Sequence, residues 1–328
     1  LLHPEMAFIA SLDVKKEAAL LGYREALEDD LRHVYPSLLG DTESEFPPAE
    51  SFNLSQQLID QLEAPYFMWI HVFAPHAPYQ PSSPFAGRFL AGDTMRSPDE
   101  VAGLASSNTH NVFDNLYPPN RQPDVDRARL RYDEYVLEAD AAFGRFMQYL
   151  ESKNGLKDTA VIVSADHGES FTGGVYGHGG KHLVRPIIHV PLIIRPPNGN
   201  EGFRCSVVAD QTALAPTILN LAGIQCPEWL ATRQPLPVSG EGCASGLAFT
   251  QYLEGNSIYK PLSQGTIGVT DGTFQSVFDL STREFALYKL ADSQAHRVDC
   301  TAQYPEVAKT LRAEISARFA GALGKMAQ

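Results

Sequence analysis

Three dense, non-alternating apolar runs, at residues 66–73, 160–164 and 190–194, constrain this chain more than any other feature. A strand that is apolar on both sides must be covered on both faces, which is how the strands of a parallel sheet read. Between the first two runs, Tyr135, Ala139, Phe143, Phe146 and Leu150 recur at spacings of 4, 4, 3 and 4, marking one face of an amphipathic helix that should end near Gly155. Strand, long helix, strand is a right-handed crossover unit. With the third run it predicts an α/β class chain built on a doubly wound, mostly parallel sheet. Ligands of such sheets sit beyond the carboxyl ends of the strands, so the site is to be sought there.

The remaining segments are less regular. Residues 77–125, rich in Pro, Ser, Asn and Gly, are too long for a passive connection; they read as a functional loop overhanging the site, with disorder as the alternative. Residues 212–222 read as a helix with Pro216 early and Gly223 just past its end. Beyond it, 224–262 is loop-rich, and 265–290 holds short alternating segments around Asp271-Gly272, a hairpin signal. Pro305 opens a helix with Val307, Leu311 and Ile315 on one face. The expected organisation is an α/β core over 1–225 and a small C-terminal α+β subdomain over 226–328. Residues 1–65 show helical texture, such as Leu54, Leu58, Ile59 and Leu62.

Charge and composition exclude several classes. Twenty-six Lys and Arg against 39 Asp and Glu leave a net charge of −13, so the surface repels phosphate backbones and anionic lipid, and no nucleic-acid partner is expected. No window approaches the length of a bilayer span. Cys205, Cys226, Cys243 and Cys300 lie far apart without a C-x-x-C pair, which argues against a zinc or dithiol site and leaves one or two disulfides open.

Four of the ten histidines fall within residues 167–189, where an even spread would place fewer than one. Asp166-His167-Gly168-Glu169 follows directly on the run 160–164. Neighbouring side chains of a continuing strand point to opposite faces, so Asp166 and His167 meet only if the strand ends there and the backbone turns, which Gly168 permits. A carboxylate oxygen and an imidazole nitrogen converging at that point make half of a divalent-metal site. The plainer alternative is a helix cap beside a surface histidine. Glu169 reads as a supporting or solvated carboxylate. His178 sits in Tyr176-Gly177-His178-Gly179-Gly180, a run not expected to hold regular structure but able to bring an imidazole near a substrate. Lys181, His182 and Arg185 either supply local positive potential for an anion or form a solvated charge run. Pro75 and Pro78 bracket His76 and hold it at the sheet's rim. His71 lies within the first run, where a histidine is ordinarily buried and satisfied by a backbone carbonyl.

These residues resemble the sulfatases of the alkaline phosphatase superfamily. Residues 67–79, ending Pro75-His76-Ala77-Pro78-Tyr79, look like the family's "PHAPY" segment, and Asp166-His167-Gly168-Glu169 like its "SDHGE" metal motif. Arg131-Tyr132-Asp133-Glu134-Tyr135 through Asp140 and Gly144 is similar to a family helix. Gly177-His178-Gly179 followed by residues 189–195, residues 215–223 beside the "APTLLDLAG" signature, and residues 286–307 continue the match in family order. The resemblance implies an alkaline phosphatase-like fold and a sulfuric ester hydrolase. It makes Asp166 and His167 metal ligands, makes His76 and His178 the catalytic contacts to sulfate and leaving-group oxygens, and adds Lys181 and His71 as substrate-binding candidates. The implied cofactor is a divalent metal, Ca2+ foremost, with Mn2+, Mg2+ or Zn2+ as alternatives. The implied partner is a small-molecule or glycan sulfate ester.

The chain departs from the family pattern in one respect. Nowhere is a Cys or Ser followed by Pro and Arg at the second and fourth positions, the family's nucleophile motif, and no acidic pair on a first strand precedes residue 66. The expectation is therefore a carboxyl-terminal piece of a sulfatase, inactive alone and a weak metal binder. Phosphodiester or phosphonate monoester hydrolases and phosphoethanolamine transferases of the same superfamily carry similar "DHGE" runs and remain alternatives. A non-catalytic homologue that binds anions or a partner is the alternative from another class.

Overall fold

The computed structural model describes residues 47–77, 79–90, 116–178, 182–199, 202–206, 208–230, 233–238, 246–253, 256, 260–290 and 298–323. The chain divides into two compact units, Leu1–Met95 with Leu130–Leu150, and Arg96–Arg129 with Glu151–Gln328.

In the first unit, helix α1 (Pro48–Ile59) opens on a proline, tolerated where the helix leaves its first amides unbonded anyway. It packs on α2 (Gln122–Ser152) through Phe52, whose ring centroid lies 5.9 Å from that of Phe143 and 5.2 Å from that of Phe146. The helical texture before residue 65 is thus confirmed, but on another face. Pro48, Ser51, Phe52 and Ser55 are buried, whereas Leu58 and Leu62 are exposed. Tyr135, Phe146 and Leu150 of α2 are buried as their spacing predicts, and the helix ends at Ser152, ahead of a left-handed Asn154 (φ 56°). Its start at Gln122 takes residues 122–125 out of the expected loop.

Residues 79–90 of that loop are strapped to α2 by two buried glutamates one turn apart, Glu134 (2% exposed) and Glu138 (6%). Glu138 accepts from Ser82 N (2.7 Å) and Ser82 Oγ (2.6 Å), and Glu134 Oε1 accepts from Phe89 N (2.7 Å) and Leu90 N (3.0 Å). Backbone and hydroxyl donors satisfy the carboxylates, which makes their burial tolerable.

The run 66–73 joins no ladder among the described residues. Met68, Ile70 and Val72 are half-buried, while Phe67, Trp69 (79% exposed), His71 and Phe73 face outward. This corrects both the expected buried strand and the expected buried His71. An apolar run records that a segment suits burial, not which other segment covers it.

In the second unit, β1 (Val161–Ser164) pairs with β4 (Leu192–Arg195), in register from Val161↔Arg195 to Ser164↔Leu192. The pairing is antiparallel, which corrects the parallel placement expected of the third run, and Ile193 is 63% exposed. A parallel return usually needs a crossover helix. Among its described residues the connection here holds the hairpin β2 (Ser170–Thr172) and β3 (Val175–Gly177) and the single-turn α3 (Arg185–Ile188). A 3-10 turn (Gln211–Ala213), capped by the Asp210 side chain on Thr212 N, leads into α4 (Leu214–Leu221), and Gly223 (φ 67°) follows as the sequence predicts.

Four strands, β5 (Ala248–Tyr252), β6 (Thr266–Thr270), β7 (Phe274–Asp279) and β8 (Phe285–Lys289), form an antiparallel sheet in that order. Asp271-Gly272 makes the expected turn, with Asp271 Oδ1 accepting from Thr273 N and Phe274 N. Leu311 and Ile315 of α5 (Pro305–Leu323) close one face of this sheet over Ile267, Val269, Phe278 and Leu287. The expected hairpin and the helix opened by Pro305 are both present, and β5 joins the same sheet. Cys205 is disulfide-bonded, and Cys226 and Cys300 are free thiols. Among the described residues no helix is long and apolar enough to cross a membrane.

Candidate active site

The strand β1 ends at Ser164, and the chain bends at Asp166, whose Oδ1 accepts from His167 N at 2.9 Å. That local bond folds the two side chains together, leaving Asp166 Oδ2 3.6 Å from His167 Nε2. Gly168 is needed for a reason other than turn conformation. Its N–H donates to Ile187 O at 2.7 Å, and a methyl there would stand 2.1 Å from Pro186 O, so only a residue without a side chain lets the turn lie against α3.

The chain then returns. Gly173 and Gly174 (φ 80° and 74°) supply the two positive φ values that a two-residue hairpin turn requires, and Phe171 meets Tyr176 across the ladder edge to face at 5.9 Å. The hairpin carries His178 back over His167, ring centroids 4.1 Å apart and 25° from parallel. Residues 176–177 are therefore strand, contrary to the irregular run expected; the Gly173-Gly174 pair was the sequence signal for it. Glu169, its side chain only 5% exposed, receives His178 Nδ1 on both oxygens, at 2.9 and 3.2 Å. The expected supporting carboxylate is thus a buried partner of a catalytic candidate.

The hydrogen bond to Glu169 raises the His178 pKa above its ordinary value; partial burial opposes this, and the charges of Glu169 and Asp166 reinforce it. Asp166 and His167 offer one hard oxygen and one imidazole, which suits a divalent cation as part of its shell. Among the described residues, no group of three or more His, Cys, Asp or Glu is arranged to hold a metal.

Asp166, His167, Glu169 and His178 come together in the second unit. His71 and His76 belong to the first, where Phe73 packs edge to face between them, 5.2 and 6.1 Å from their rings, and His76 N donates to Phe73 O. Lys181 lies outside the described residues, as do Pro78 and 91–115 of the expected overhanging loop.

A strand-end carboxylate and imidazole thus lie beside a second histidine that a buried carboxylate holds. A family profile described as Sulfatase matches residues 43–224, more than half of the sequence, and the chain belongs to the sulfatase family. It is 25% identical over 208 residues to the multifunctional alkaline phosphatase superfamily protein PehA of Trinickia caryophylli, a stretch covering 54% of this chain and 38% of that one. It is 30% identical over 118 residues to human arylsulfatase K, covering 36% and 22%. Among solved structures, phosphonate monoester hydrolase SpPMH from Silicibacter pomeroyi superposes with a TM-score of 0.63 at 17% identity, over 84% of this chain and 61% of that one. The alkaline phosphatase-like α/β fold class is therefore as expected. The chain spans about two fifths or less of the curated relatives named here.

Proposed function

We propose that this chain carries the metal-binding and proton-donating part of a sulfate-ester hydrolase. The observation that carries the reading is the convergence of Asp166 and His167 with His178, itself held by the buried Glu169. Asp166 and His167 would hold a divalent cation, Ca2+ foremost, which when bound supplies positive charge opposite the sulfate oxygens. Glu169 holds the His178 ring in one orientation and favours its protonated form, so the imidazolium can donate a proton to an oxygen of the anion or of the departing alkoxide. On the family resemblance alone, His76 is given a contact to the ester oxygens, and Lys181 and His71 auxiliary contacts to substrate. The substrate class is a small-molecule or glycan sulfate ester. Resemblance to PehA and to the phosphonate monoester hydrolase fold keeps phosphodiesters and phosphonate monoesters as the second reading.

Titration with Mn2+ as a paramagnetic probe tests the assignment. Broadening should begin at Gly168 and at the His167 and His178 rings, with weak affinity, and Asp166→Ala should abolish it. Broadening elsewhere, or binding that survives Asp166→Ala, would remove the site from this turn.

A further inference from the structure

The C-terminal sheet has two buried faces of different character. Ile267, Val269 and Phe278 point into the apolar core under α5. Alternation along the strands, with the pairs Gly268↔Thr250 and Thr270↔Gln275, puts Thr250, Gly268, Thr270 and Gln275 on the opposite face. All five residues of β6 are buried, so this polar face is covered too.

What covers it includes the segment after His178. Gln275, 1% exposed, donates through Nε2 to Leu183 O at 3.2 Å, across 92 residues of sequence. A methyl on Gly268 would stand 2.7 Å from Thr250 Oγ1, 3.2 Å from Gln275 Nε2 and 3.3 Å from Leu183 Cδ1, so the glycine is a notch that admits the Leu183 side chain. Leu183 is itself the centre of a tight turn in which Val184 N donates to His182 O at 2.8 Å. From there Ile187 N and Ile188 N bond to Val184 O, and Ile187 O receives Gly168 N at 2.7 Å. Direct bonds therefore run from the C-terminal sheet through α3 to the Asp166-His167-Gly168 turn. Gln275 keeps an amide in a buried place although its Oε1 has no partner among the described residues, a poor arrangement for stability alone.

We infer that Gln275 is a positioning residue: with the Gly268 notch, it fixes the His182–Val184 turn and through it the placement of the Gly168 turn beside His178. This rests on the reading of the Asp166–His178 cluster as the substrate site. The test needs neither turnover nor metal, so it can fail without touching the hydrolase reading, and the Mn2+ titration can fail without touching this coupling. In the full chain, Gln275→Leu should raise amide exchange at Gly168, Ile187 and Ile188 about tenfold and shift the His178 ring resonances, while exchange within β6 and β7 stays as it was. Gly268→Ala should do the same by displacing Leu183. Val269→Ala, on the opposite face, should lower the melting temperature without moving those signals, which separates positioning from general support. Unchanged signals in both first variants would overturn the inference. Should neither variant fold, the unmodified chain decides: protection at Ile187 and Gly168 should match that of β7, and much faster exchange there would overturn it as well.

Discussion

His178 is the residue whose environment determines most of what the site can do. Its folded pKa lies above the 6.5 of an exposed imidazole, chiefly through the bond to Glu169. A raised histidine pKa stabilises the fold fully below the unfolded pKa, and the contribution fades as pH rises through the folded one. Glu169→Gln keeps the shape and an acceptor but removes the charge. It should therefore cost about 1 kcal/mol near pH 5.5 and almost nothing near pH 9, since His178 is partly solvated and such pairs are screened. Thermal melts across that range, with the His178 titration followed by NMR, check it; an equal loss at both ends would mean that charge is not what Glu169 contributes. At this scale Asp166 and His167 were legible because a strand end followed by glycine is a local pattern. The pairing of Glu169 with His178 was not, because it exists only once the hairpin has returned the chain.

Elements were legible where a periodic face or turn chemistry specified them, as in α2, α4, α5 and the Asp271-Gly272 turn. The Gly173-Gly174 hairpin had such chemistry but lay hidden among other glycines. The runs 66–73 and 190–194 misled, because apolar character is the same for strands of either direction and for covered or open faces. Least visible was the strap of residues 79–90, since Glu134 and Glu138 sit on α2 where a carboxylate ordinarily marks the solvated side. Removing Glu138 leaves the Ser82 N–H and hydroxyl without their acceptor. Glu138→Ala should cost about 1–3 kcal/mol and open residues 79–90 to protease, while Ser82→Ala, which removes one of the two bonds, should cost less. Equal cleavage of parent and Glu138→Ala chains would show that the strap is held by something else.

For the molecule as a whole, the net charge of −13 opposes the approach of a sulfate ester, so any anion must be drawn by charges local to the site. In the proposed reading a cation held by Asp166 and His167 and a protonated His178 would be such charges; they would serve binding and proton donation but not attack at sulfur. The attacking group of the family is a Cys or Ser followed by Pro and Arg at set positions, and the sequence contains no such motif. Cys226 precedes Pro227 directly and has no arginine at the required distance, so it does not fill the role. Purified 1–328 supplied with Ca2+ should accordingly bind sulfate weakly yet release no phenol from an aryl sulfate, and no product from a phosphodiester, above a chain bearing Asp166→Ala and His178→Ala. Turnover that those two changes abolish would place an unrecognised nucleophile within these residues. Turnover that survives them would move the chemistry away from the 166–178 turn altogether.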